Sequence, residues 1–160
     1  MDPYRLDAHA ACMMDVLALI RDAFGYMDGR IDPPSSMHRL SDRSLSRAAS
    51  EGELWAIGTP PLACVVLSEK PGALYVGKLA VVAASARGQG LARALIDLAE
   101  ARARLRGLPV LELQTRVELN ENHATFARLG FTEVGRTAHE GYARPTSITM
   151  RKTVAAPGQV

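Results

Sequence analysis

Cysteine is scarce in this chain: its 160 residues include two, Cys12 and Cys64. They lie far apart in apolar company, without the paired spacing of a zinc site or a redox dithiol, so both read as buried thiols and no metal site is expected. Neither sign of charge dominates. Nineteen Lys and Arg stand against seventeen Asp and Glu, a formal net charge of +2, and that balance gives no reason to expect nucleic acid or an anionic membrane as partner. Long apolar runs are missing too, and none reaches membrane-spanning length. The opening "MDPYRLDAHAACMMDVLALIRDAF" has acidic residues where a secretory signal has a basic start, and Asp15 interrupts its apolar stretch. These absences predict a soluble cytoplasmic protein. Internal repeats are absent, and low complexity is confined to the end of the chain.

What is present is enough apolar material for one core: 48% of residues are hydrophobic, which fits a single domain over residues 1–153 with a frayed tail at 154–160. Tyr4 to Leu6 reads as a very short strand. Met13, Val16, Leu17 and Ile20 recur at helical spacing, so a first helix is expected from an Asp7 N-cap to about Phe24. "GYMDGRIDPPSSMHRLSD" is crowded with turn formers and predicts a long loop before a short helix near Ser44 to Ser50. "ELWAIG", "LACVVLSE" and "ALYVGKLAVV" are three strands of an antiparallel meander. Leu91, Ala94, Leu95, Leu98 and Leu105 stripe one face of a helix ending at Gly107. A strand "PVLELQT", a short helix "NENHATFARLG", and strands "FTEVGR" and "SITMRK" complete the order. The expected fold class is α/β (α+β): a mixed, mostly antiparallel central sheet with helices on both faces.

"RGQGLARAL", Arg87 to Leu95, admits several phosphate-binding readings. A dinucleotide fingerprint fails because Arg93 stands where a third glycine belongs. "GALYVGKL" nearly spells a P-loop, yet Leu79 replaces the magnesium-binding Ser or Thr, and the segment is strand-like. The remaining reading is physical. Gly88 and Gly90 let a ligand approach the main chain, and the following helix offers unsatisfied N–H groups and the positive end of its dipole to a pyrophosphate. A tight strand-to-helix turn is the alternative use of the same glycines.

"LAVVAASARGQGLARALI" resembles the acetyl-coenzyme A signature of the GNAT superfamily of N-acetyltransferases, and "LELQTRVELNENHATFARLGFTEVGR" resembles the next strand, turn and short helix of that family. The matched blocks cover roughly residues 73 to 136. The resemblance implies acetyl-CoA as cosubstrate. It assigns main-chain contacts with the pantetheine arm to the Leu79, Ala80 and Val81 strand, and the pyrophosphate to the backbone amides of Arg87, Gly88, Gln89, Gly90, Leu91 and Ala92. Asn122 would touch the coenzyme from the other side. It also implies two strands splayed into a slot for the thioester, with a bulge that the sequence itself does not show.

Acetyl transfer to an amine needs a neutral nucleophile, a stabilised oxyanion and a proton for the departing thiolate. A tyrosine often supplies that proton in the family, but Phe126 stands at the matching position and has none to give; packing against the coenzyme remains open to it. Glu112, on the strand face opposite Leu111 and Leu113, is a candidate base through water, with a solvated or ion-paired strand residue as the alternative. Tyr142 is a candidate acid from the loop before the last strand, with packing as its alternative. His123 is read as an exposed helix-start residue. Asp28 and Asp32 in the long loop would attract a cationic amine.

Two functional classes follow. One is an enzyme moving an acetyl group from acetyl-CoA to a primary amine, small molecule or peptide, within a ternary complex. The other is an acyl-CoA-binding sensor or interaction module of the same fold, kept open by Phe126. The family also offers, by analogy, a homodimer paired through late strands.

Overall fold

Short β-branched and apolar runs form seven strands in the computed structural model, which describes residues 1–82 and 90–154. They are β1 (Tyr4–Leu6), β2 (Glu53–Ile57), β3 (Ala63–Lys70), β4 (Ala73–Val81), β5 (Val110–Arg116), β6 (Thr132–Thr137) and β7 (Ser147–Thr153). One sheet holds them all in the order β1-β2-β3-β4-β5-β7-β6. Every neighbouring pair is antiparallel except β4 and β5, which run parallel. The expected meander is β2-β3-β4. The parallel step needs a crossover, and α3 (Leu91–Leu105) lies between those two strands in sequence.

Helices cover both faces, as expected. α1 (Met13–Phe24) and α2 (Asp42–Glu51) close a core of Val16, Ile20, Leu45, Leu54 and Cys64 on one side. On the other, α3 packs Leu95, Ile96 and Ala99 against Val65, Leu74 and Leu111. Leu95 and Ile96 are at most 1% exposed, and burial of each contributes about 1.5–3 kcal/mol, more than any single surface ion pair contributes. α4 (Asn120–Arg128) adds Phe126 to the rim of this second core, edge-on to buried Phe131 with ring centroids 6.0 Å apart.

Local chemistry shifts several boundaries. Asp7 does not cap α1: its Oδ1 accepts the N–H of His9 at 2.8 Å in a local turn, and the helix starts six residues later at Met13. The Cys12 side chain makes no cap bond there, and this thiol is half-buried rather than buried. Cys64 is fully buried, which pushes its thiol up to about 12. α2 is longer than expected because Ser41 and Ser44 form a reciprocal capping box, each hydroxyl accepting the other's backbone N–H. The long loop contains two 3-10 turns, Gly25–Met27 and Ser36–Arg39. Val154, expected to open the frayed tail, is 8% exposed and donates its N–H to Pro109 O at 2.9 Å, so the packed chain extends one residue further.

A buried ion cluster fastens α3 to β2. The Glu53 carboxylate, with no side-chain exposure, accepts from Arg102 Nε at 2.7 Å, Arg106 Nη2 at 2.5 Å and Trp55 Nε1 at 2.8 Å. Burial alone would raise its carboxyl, but these donors outweigh that and hold it at about 2.

Candidate functional site

The site grows from a fault in the sheet. β3 and β4 pair Val66 with Gly77 and Cys64 with Ala80, so two steps on β3 face three on β4. The extra residue is a bulge at Lys78 and Leu79, and Lys78 takes φ +50° to make it. On its other edge β4 pairs with β5 only at Leu74–Leu111 and Tyr75–Glu112. Beyond those two pairs the strands part, leaving peptide groups of both strands without cross-strand partners along the fork.

A cavity of about 510 Å³ occupies the fork. Tyr75, Gly77 and Leu79 line it from β4, and Leu113 and Thr115 from β5. The α4 side contributes Asn122 and Phe126, and the long loop contributes Met27, Ile31 and Met37. The loop after β6 closes the mouth with His139 and Tyr142.

Hydrogen bonds tie those two loops together. Tyr142 donates its hydroxyl to Asp32 Oδ1 at 2.6 Å, Arg144 approaches Asp32 Oδ2 at 3.3 Å, and Glu118 Oε2 accepts the Asp32 N–H at 3.0 Å. Arg116, at the end of β5, donates to the carbonyls of Pro33 at 2.8 Å and Pro34 at 3.2 Å. The bond to Asp32, with a smaller contribution from desolvation, raises the Tyr142 phenol above its usual range, so it keeps its proton at neutral pH. Burial, and to a lesser degree the Glu112 charge, raises Tyr75 in the same direction.

His139 carries the ring best suited to take a proton, and nothing in its sequence neighbourhood marked it. Its Nδ1 lies within hydrogen-bond reach of Thr146 Oγ1, which also receives the His139 N–H at 2.8 Å and donates toward Thr137 O at 3.4 Å. In the tautomer in which Nδ1 donates to this hydroxyl, the lone pair lies on Nε2. Burial and, secondarily, the nearby Arg116 push this imidazole below its usual value, so it is neutral at pH 7.

Other expected residues fall elsewhere. Glu112 does not line the cavity: it pairs with Tyr75 at the last rung before the strands part, and its carboxylate is held by Lys70 and Arg151 at 3.4 and 2.8 Å, whereas Gln114 and Arg116, further along the same side of β5, do line it. Burial would raise its carboxyl, but bonds from Arg151 and Lys70 hold it below the usual range, which is the wrong direction for a base. Leu79, Asn122 and Phe126 line the cavity, whereas Ala80 and Val81 do not. Asn122 bonds to Tyr26, its Nδ2 donating to the phenol oxygen at 3.0 Å. His123 Nε2 lies 2.8 Å from Arg116 O, so this ring braces the β5 end rather than standing free. Gly90 caps α3 in the left-handed region at φ +65°, with Leu91 and Ala92 forming the first turn. Arg87, Gly88 and Gln89 lie outside the described residues. Among the described residues, no group of three or more His, Cys, Asp or Glu is placed to hold a metal ion, and no helix is long and apolar enough to cross a membrane.

The geometry fits a coenzyme whose extended arm enters as an extra strand and leads to a diphosphate. The open edges of β4 and β5 supply peptide groups for an extended arm, and the first turn of α3 supplies N–H groups without intrahelical acceptors behind a residue with no side chain.

Solved structures share this architecture. The aminoglycoside 6'-acetyltransferase type Ii superimposes with a TM-score of 0.74 at 18% identity, over 97% of this chain and 98% of that one. A putative acyl-CoA N-acyltransferase from Klebsiella pneumoniae gives 0.65 at 21% identity, over 96% and 97%. The ribosomal-protein-S18-alanine N-acetyltransferase from Escherichia coli gives 0.63 at 18%, over 99% and 97%. At these identities the likeness is one of fold. No curated protein sequence matches the chain. The family model for acetyltransferases of the GNAT family matches residues 14–131, a span that takes in α1, the forked strands, α3 and α4, and the chain belongs to that family.

Proposed function

We propose that the protein transfers an acetyl group from acetyl-CoA to a primary amine by direct attack in a ternary complex. The observation that carries this reading is the fork: two parallel neighbours that separate after Tyr75 and Glu112, with a cavity lined by residues of both strands. Acetyl-CoA supplies an activated acyl carbon when bound. Peptide groups of β4 around Leu79 hold the extended arm and offer N–H donors to the developing oxyanion. The first turn of α3, from Gly90 through Leu91 and Ala92, holds the diphosphate together with residues 87–89.

His139 Nε2 takes the proton that the amine must lose, directly or through water, since an alkyl ammonium with a pKa of roughly 10 is otherwise charged at neutral pH. Tyr142 gives a proton to the leaving thiolate; release of its bond to Asp32 frees the phenol for this step. Glu112 has no part in the chemistry, its carboxylate being held by Arg151 and Lys70. The reaction is cytoplasmic in this reading and involves neither membrane nor nucleic acid.

Thiol release from acetyl-CoA across an amine panel is the test. Acceptor-dependent release is expected. Tight coenzyme binding without it would favour the sensor reading, which Phe126 supports by offering the cavity a ring with no proton.

A further inference from the structure

The two carboxylates expected to draw a cationic acceptor are already engaged. Asp28 Oδ1 lies 2.8 Å from His38 Nε2, and Asp32 is shared between Tyr142 and Arg144. What stands uncompensated along the cavity wall is positive. Arg39, from the second 3-10 turn, and Lys78, at the β4 bulge, both line the cavity, and among the described residues neither forms an ion pair. Arg116 adds a third cation, partly balanced by Asp32 and Glu118 and partly spent on the Pro33 and Pro34 carbonyls. Among the described lining residues one carboxylate answers them, Glu140; it and Arg39 are exposed, while Lys78 is half-buried. Gly90, Leu91 and Ala92, the described part of the diphosphate site, are not among the lining residues.

Beside the cations the wall is apolar. Phe24, Met27, Ile31 and Met37 face the same space. We propose that the acceptor is an amino acid with an apolar side chain, its carboxylate drawn by Arg39 and Lys78 and its side chain lying against Met27, Ile31 and Met37. The inference rests on the acetyl-transfer reading and names its substrate class. A polycationic acceptor meets like charge on this wall, and like charges in a partly desolvated cleft repel strongly.

The test compares L-leucine with leucinamide and L-phenylalanine with phenylalaninamide as acceptors, alongside an aminoglycoside, in the parent protein and in Arg39→Gln and Lys78→Met. The carboxylate form is expected to be preferred, and each substitution is expected to lower the carboxylate-to-amide ratio of kcat/KM about tenfold, as loss of a charge-assisted contact does. Comparing that ratio between variant and parent cancels the difference in amine basicity between acid and amide. A ratio untouched by both substitutions overturns the proposal, and so does a preference for the aminoglycoside. If no amine at all releases thiol, the transfer reading has failed instead. Calorimetry of N-acetylleucine against its amide, with coenzyme A present, then reads the anion site alone: tighter binding of the acid, lost in Arg39→Gln, supports the site, and equal affinities overturn it.

Discussion

Tyr142 and Asp32, 110 residues apart in the chain, meet at 2.6 Å across the mouth of the cavity. The phenol is thus both a strap between two loops and a proton source. Tyr142→Phe is expected to lower kcat on the order of a hundredfold with little change in the KM for acetyl-CoA, the range typical of a lost general acid. Asp32→Asn separates the two roles: it replaces the carboxylate whose hydrogen bond, and to a lesser degree whose charge, raises the phenol, so a spectroscopic tyrosine titration should move toward the ordinary range while kcat falls much less. Equal losses of kcat in both variants would mark Tyr142 as a strap alone.

The pH profile should report His139. A general base must be unprotonated, and this imidazole is held below its usual pKa, so kcat/KM is expected to rise with pH on a limb below the ordinary imidazole range and then level off. His139→Gln should abolish that limb. Persistence of the limb in the variant would assign it to another group.

Gly90 offers a test of the diphosphate site. Space around a Cβ there is open, so substitution meets no neighbour, and only the φ of +65° is unfavourable. A β-branched residue in this region is strained by roughly 1–2 kcal/mol, whereas Asn tolerates it. Gly90→Val is therefore expected to weaken acetyl-CoA binding about tenfold by calorimetry, and Gly90→Asn by less than about threefold. Equal affinities for both variants and parent would move the diphosphate elsewhere.

Glu53 governs acid stability. Its folded carboxyl lies at about 2, against 4.5 for the unperturbed group. A depressed folded pKa gives stability that is complete above the unfolded value and is lost as pH falls through the folded one, here between about 4.5 and 2; the amount is about 3 kcal/mol. Glu53→Gln should flatten the stability profile in that window and lower the stability at neutral pH, because Arg102 and Arg106 then lose their buried partner. Urea titrations at several pH values would show it.

Glu112→Gln separates structure from chemistry on β5. The substitution breaks the contacts with Arg151 and Lys70 and should reduce thermal stability modestly while kcat stays within about threefold of the parent, well short of what a lost base costs. A hundredfold loss of kcat would restore Glu112 as a catalytic base.

The sequence made the strands, the helical stripes and the glycine-led start of α3 legible because each is a local pattern. The class of fold and the family followed from them. What it did not expose were features made by distant parts of the chain. Glu112 alternates correctly with Leu111 and Leu113, yet alternation cannot say where along β5 the strands part: the cavity takes in Gln114 and Arg116 of the same face, while Glu112 lies at the last paired rung beside Arg151. Asp28 and Asp32 read as free carboxylates because His38, Tyr142 and Arg144 reach them only in the folded chain. His139 carried no signal at all: its hydrogen-bond partner Thr146 is brought to it only by the β6–β7 turn.

The surplus residue at Lys78 and Leu79 gives the protein an unusual sensitivity to length. Removing one amino acid there would let β3 and β4 pair uniformly, with Ala80 still opposite Cys64, and the local kink and twist that the bulge gives β4 beside the fork would be lost. The core side, where Ala80 packs with Cys64, would survive the change, whereas the slot would close as β4 straightened toward β5. Lineages carrying this domain should therefore accept insertions in the loop before α2 far more readily than a single codon lost at the centre of the sheet.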